Sequence, residues 1–160
     1  VIFVTVGTQL PFPRLLDAMN ALAPELTEPV VAQTCAAREA DNAAWPALEA
    51  RSHMPPDLFD ARFSEARLIV AHAGIGTILS ARRWGKSLVL LPRRHALGEH
   101  RNDHQIATAR QVEVLEGVHV AWQVSDLPGL ILGTDLQVSS QRESAEHDRL
   151  VARLRQFILS

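Results

Sequence analysis

Cysteine is all but missing from this 160-residue chain. Cys35 is the only one, so no internal disulfide forms and the fold must hold without a staple, as suits a reducing cytosol. Long hydrophobic runs are missing too. Val1-Ile2-Phe3-Val4 is among the longest, far short of the roughly 20 apolar residues that span a bilayer. No cationic stretch precedes it, so it does not read as a signal peptide. The expectation is a cytoplasmic protein that reaches the inner face of the cell membrane only through a partner. Charge of one sign is not in excess: the net charge is −2, and 47% of residues are apolar, which excludes a disordered chain. Aromatics make up only 5%, too few for a stacking surface, so no nucleic-acid partner is expected.

Several chemical signatures are absent as well. Gly85-Lys86-Ser87 imitates the end of a phosphate-binding Walker loop, but Ser80 stands where the first glycine is required. The dinucleotide pattern G-x-G-x-x-G fails at Leu79. There is no G-x-S-x-G elbow, no CxxC and no Asp-x-Asp pair for a metal–diphosphate. H-E-x-x-H is missing, and no metal or other cofactor is expected. The one metal alternative, a metal-dependent hydrolase, would use His100, Asp103 and His104.

What is present is alternation. Val1–Val6, Val30–Gln33, Leu68–Ala71 and Leu88–Leu91 are short apolar runs of buried-strand type, with weaker strands near Ala50–His53 and at Val112–Leu115. Helices are predicted from Pro13, from Pro55-Pro56-Asp57 to about Ala66, from the Gly74 turn to Trp84, and over 102–111. Such alternation predicts an α/β domain with a Rossmann-like parallel sheet covered on both faces. That domain is expected to occupy residues 1–138. A C-terminal amphipathic helix is expected within 139–160, with Ser140 and Glu143 at capping-box spacing and Leu150, Val151, Leu154, Phe157 and Ile158 on one face. It would pack on the domain or on a partner subunit.

Ligands of parallel sheets bind outside the carboxyl ends of the strands. Three polar stretches fall there: Gly7–Phe12, His72–Thr77 and Arg93–Asp103. Residues 82–110 carry six arginines and Lys86 against Glu99 and Asp103, a local excess suited to an anion. His72-Ala73-Gly74-Ile75-Gly76-Thr77 is strand, glycine turn and helix start, a geometry that favours phosphate or serves as a plain tight turn. Gly7, Thr8 and Gln9 would aim amides and a hydroxyl at the same crevice. Arg93 and Arg94 suit diphosphate or carboxylate oxygens, Glu99 suits ribose hydroxyls, and Asp103 or Gln105 suits sugar hydroxyls. His72 is a candidate base, or equally a packing residue.

Taken together, Val4–Gln9, His72–Thr77 and Pro92–Gln105 resemble the C-terminal domain of glycosyltransferase family 28 over roughly residues 1–115. The likeness is strongest to small, separate subunits of two-part glycosyltransferases. These include the eukaryotic dolichol-linked N-acetylglucosamine transferase catalytic subunit and bacterial exopolysaccharide β-1,4-glucuronosyltransferases. The resemblance implies the donor-binding half of a GT-B fold and a hexosyltransferase using a UDP-sugar without a metal. It puts diphosphate near Gly7, Thr8 and the Gly74–Thr77 turn, and ribose and sugar around the 93–105 loop that includes Asn102, with Gln105 facing the sugar. Ser80 stands where the larger cell-wall N-acetylglucosamine transferase has its ribose-binding glutamate, and Glu99 is the substitute. Arg93 or Arg94 would pair with a donor carboxylate if the sugar is glucuronic acid. A membrane-associated Rossmann-like partner would hold the lipid-linked saccharide acceptor and the base, in exopolysaccharide synthesis. The alternative within this resemblance is a non-catalytic accessory subunit.

Overall fold

The computed structural model describes residues 1–133 and Ala152. The C-terminal helix expected within 139–160 lies outside the described residues, apart from that one position. Six strands run in parallel: β1 (Ile2–Thr5), β2 (Val30–Gln33), β3 (Glu49–Arg51), β4 (Leu68–Ala71), β5 (Ser87–Leu90) and β6 (Val118–Val120). Their spatial order is β3-β2-β1-β4-β5-β6. This is the doubly wound Rossmann order, in which the chain reverses direction of travel across the sheet between β1 and β4.

Side chains alternate across each strand, so each face receives every second residue. Ile2, Val4, Val70, Val89 and Leu91 face one layer, made by α1 (Pro13–Leu22) and α5 (Leu127–Leu132). Phe3, Ile69, Leu88 and Leu90 face the other, made by α2 (Pro56–Glu65), α3 (Ile75–Arg83) and α4 (His104–Val112). Both layers are closed to water, which is why β1 and β4 read as unbroken apolar runs. Phe3, Phe59 and Phe63 pack as a trio with ring centroids 5.5–6.1 Å apart. Proline at the first helical position starts α1, and Leu15, Leu16, Met19 and Leu22 bury its inner stripe.

One predicted strand is corrected. Val112–Leu115 is not a strand: Val112 ends α4, and the last strand lies further on at Val118–Val120. The buried residues Gln105, Thr108, Ala109 and Val112 are spaced i, i+3, i+4 and i+7, a helical face that packs on the sheet.

Candidate functional site

The turns after β1, β4 and β5 enclose a cleft of about 740 Å³ at the carboxyl edge of the sheet. It lies at the β1/β4 reversal, where adjacent connections leave in opposite directions and part the loops. Gly7, Thr8 and Gln9 line it from the first turn; His72, Ala73, Gly74, Gly76, Thr77 and Ser80 from the second; Arg93, Asn102 and Gln105 from the third. Three stretches far apart in sequence therefore share one wall.

Two buried amides hold that wall. Gln33, at the end of β2, accepts from Thr5 Oγ1 (2.9 Å) and Val6 N (3.3 Å), and donates to the carbonyls of Gly7 (2.9 Å) and Ser52 (3.1 Å). All four of its bonding positions are filled. Gln105, in the first turn of α4, accepts from both Ala73 N and Arg93 N, each at 3.1 Å. Two amide N–H groups aimed at one end of the Gln105 side chain identify that end as oxygen. The other end is the NH2, 3.1 Å from His72 Nδ1. His72 Nδ1 is therefore an acceptor, and the ring proton sits on Nε2.

The His72 ring lies against two glycines. A Cβ at Gly74 would be 2.3 Å from Cε1 and 2.6 Å from Nε2; one at Gly7 would be 2.9 Å from Cε1. Gly7 also has φ +82, so only glycine sits there without strain. Burial first, then the positive charge of Arg93, push His72 down to about 3. At neutral pH it is an uncharged ring presenting an Nε2–H, and it is a poor base. Beside it, α3 starts directly after Gly74. Its first internal bond is Ile78 N to Gly74 O (3.1 Å), which leaves the N–H groups of Ile75, Gly76 and Thr77 without intrahelical carbonyls.

Four residues expected to touch the ligand do other work. Arg93 is 2% exposed, and its guanidinium donates to the carbonyls of Val6, Leu10 and Pro11 at 2.7 Å each while lying 4.6 Å over the Phe12 ring. It ties the first turn to the third and has few donors left for a ligand. Arg94 turns away from the cleft to the Trp122 carbonyl. Glu99 lies outside the cleft and takes both oxygens to Arg14, at 2.8 and 2.9 Å, while also accepting from Arg94 N. Asp103, also outside, accepts from His95 N at 3.0 Å. The metal-hydrolase alternative thereby loses its geometry, and no group of three or more His, Cys, Asp or Glu side chains suited to a metal gathers among the described residues.

The cleft also contains residues the sequence reading passed over. His53, Met54, Phe59, Gln33 and Arg101 also line it. Gln33 had a signal: it is a polar side chain closing an otherwise apolar buried strand. Among the described residues, no Asp or Glu lines the cleft; its ionisable side chains are His53, His72, Arg93, His100, Arg101 and His104.

A cleft at the reversal point of an open parallel sheet, lined by no Asp or Glu among the described residues, is the ligand-binding position of a Rossmann-like domain. The family model for the glycosyltransferase family 28 C-terminal domain matches residues 1–123, and the chain belongs to this family. The fold is that of the corresponding half of a GT-B enzyme. It is similar to the NMR solution structure of ALG13, with a TM-score of 0.67, 17% identity and 94% of each chain covered. It is also similar to the crystal structure of Acinetobacter baumannii MurG, with a TM-score of 0.61 and 18% identity, covering 96% of this chain and 44% of that one. This chain therefore spans less than half the length of MurG. No curated protein shows a significant match. Family and fold together make the chain a glycosyltransferase donor-binding domain. No helix among the described residues is long and apolar enough to cross a membrane.

Proposed function

We propose that this chain is the donor-binding catalytic subunit of an inverting, metal-independent transferase that uses a UDP-sugar to extend a lipid-linked saccharide, in exopolysaccharide synthesis. The observation that carries the reading is the cleft at the β1/β4 reversal, walled by Gly7, by Gly74 and the open start of α3, and lined by no carboxylate among the described residues. A diphosphate fits this chemistry. The amides of Ile75, Gly76 and Thr77 and the His72 Nε2–H are donors preset for oxygens that gain negative charge as the sugar leaves.

In that reaction the acceptor hydroxyl oxygen attacks the anomeric carbon, and the bond from that carbon to the phosphate oxygen breaks. UDP departs with the electron pair, and the hydroxyl proton passes to a base. His72, held neutral down to about pH 3, is unsuited to take that proton, and the described cleft holds no carboxylate to do so. The base and the acceptor are accordingly assigned to a second, membrane-associated subunit, which brings this chain to the membrane. The test is a radiolabelled transfer assay with UDP-sugars, run with this chain, with a candidate membrane-associated partner subunit, and with both. Transfer only with both supports the reading; transfer by the partner alone overturns it in favour of an accessory role.

A further inference from the structure

The charge in the cleft is unbalanced, and one side chain is free to answer it. Arg93 is buried on carbonyls, and Arg94 is turned to Trp122. Arg101 lines the cleft from the turn before α4, is solvent-exposed, and has no hydrogen bond or ion pair with any described residue. No Asp or Glu lines the cleft with it among the described residues. The nearest acids in sequence, Glu99 and Asp103, lie outside the cleft and are held by Arg14 and by His95 N. With Arg93 committed to carbonyls, the exposed guanidinium of Arg101 is the uncommitted permanent positive charge lining the cleft among the described residues, and an anion entering the cleft supplies its counter-ion.

Resting on the nucleotide-sugar reading above, we infer that Arg101 is the specificity-determining cation of this cleft, the guanidinium that closes on the anionic group of the bound donor. Arg93 cannot change partners without stripping three carbonyls of their donor, whereas Arg101 has no hydrogen bond or ion pair among the described residues to give up. Its charge is permanent, whereas that of a neighbouring histidine depends on pH. Burial foremost, then the charge of Arg93, push His100 below the ordinary histidine range. A planar fork on an exposed turn reaches two oxygens at once, of a diphosphate or of a sugar carboxylate, and the two sources are separable by experiment.

The test is calorimetric titration of the full chain with UDP, UDP-glucose and UDP-glucuronate, for wild type, Arg101→Ala, Arg101→Lys and, as a control outside the cleft, Arg110→Ala. Circular dichroism and thermal melts unchanged in Arg101→Ala establish that the fold is intact. Arg101→Ala is expected to weaken binding about tenfold or more, the size of one charge-assisted bidentate contact, with partial recovery in Arg101→Lys and no change in Arg110→Ala. An equal loss for all three ligands puts the guanidinium on the diphosphate; a loss confined to UDP-glucuronate puts it on the sugar carboxylate. Wild type that binds UDP together with an Arg101→Ala protein that binds all three equally well overturns the inference while leaving the nucleotide-sugar reading standing. Wild type that binds none of the three overturns both.

Discussion

Gln105 Nε2 lies 3.1 Å from His72 Nδ1, and that hydrogen bond sets which ring nitrogen carries the proton. It also joins α4 to the end of β4, while Gln105 Oε1 joins β4 to the end of β5 through Ala73 N and Arg93 N. Replacing Gln105 by Met keeps the volume and removes all three contacts. Two buried backbone N–H groups are then unpaired. The variant should lose about 2 kcal/mol or more of stability, read as the urea midpoint, because each buried orphan costs about 1–3 kcal/mol. A midpoint equal to wild type would show that the bridge contributes nothing.

The tautomer has its own spectroscopic signature. In wild-type protein, nitrogen–proton correlations should show His72 protonated at Nε2 alone and still neutral at pH 5, where an ordinary histidine is charged. The linked stability follows from the sign. The unfolded chain takes up a proton near 6.5, while the native His72 does not until about 3, so native protein loses stability as pH falls through this window. The loss from His72 between pH 8 and pH 5 should be about 2 kcal/mol. A His72→Asn protein should show a correspondingly smaller drop in its urea midpoint, and an identical drop would place the acid sensitivity elsewhere.

Two adjacent arginines should behave oppositely. Arg93→Lys leaves the carbonyls of Val6, Leu10 and Pro11 short of donors and removes the guanidinium from Phe12, so it should cost about 2–4 kcal/mol and lower the melting temperature by several degrees. Arg94→Ala removes one contact to the Trp122 carbonyl outside the cleft. Nucleotide binding should be unchanged in Arg94→Ala, including for UDP-glucuronate. A large binding defect there would mean that this side chain turns inward when the ligand arrives.

The glycines of the turn are also separable. Gly74→Ala puts a methyl where the His72 ring lies and should abolish UDP binding. At Gly76 a Cβ meets nothing within 4 Å, and the position is helical, so Gly76→Ala should fold as well as wild type or gain a few tenths of a kcal/mol. Melting curves and UDP titrations of the pair distinguish the two effects.

Arg14 and Glu99, 85 residues apart, form a two-pronged pair whose side chains are 21% and 10% exposed. A double-mutant cycle through Arg14→Met and Glu99→Gln should return a coupling of about 1–2 kcal/mol, above the range of fully exposed pairs. Coupling near zero would mean that this ion pair does not help to hold the loop.

The strands and the three turns were legible because the signals are local: an apolar run, then glycine or proline, then a helical stripe. β1, β2, β4 and β5 lie where those runs predict. Val112–Leu115 misled because Val-Glu-Val-Leu alternates like a strand, whereas Val112 belongs to the face that begins at Gln105. The duties of the arginines were not legible. Whether Arg93 or Arg101 faces a ligand depends on where the carbonyls of Val6, Leu10 and Pro11 end up, more than 80 residues away. The same holds for Glu99, whose partner Arg14 is on α1. Residue type announced an anion site; only the folded backbone distinguished the groups that build the wall from those left facing the cleft.

The lining of this cleft also bears on safety. Activated sugars are prone to wasteful hydrolysis wherever a general base can deprotonate a nearby water. Among the described residues this cleft has no carboxylate, and burial and the charge of Arg93 make its central imidazole a poor base, with Nδ1 already held by Gln105. Under the proposed reading, a donor seated here alone would sit inert, like a loaded cartridge without a firing pin, until the other half of the enzyme arrives with its base and its acceptor.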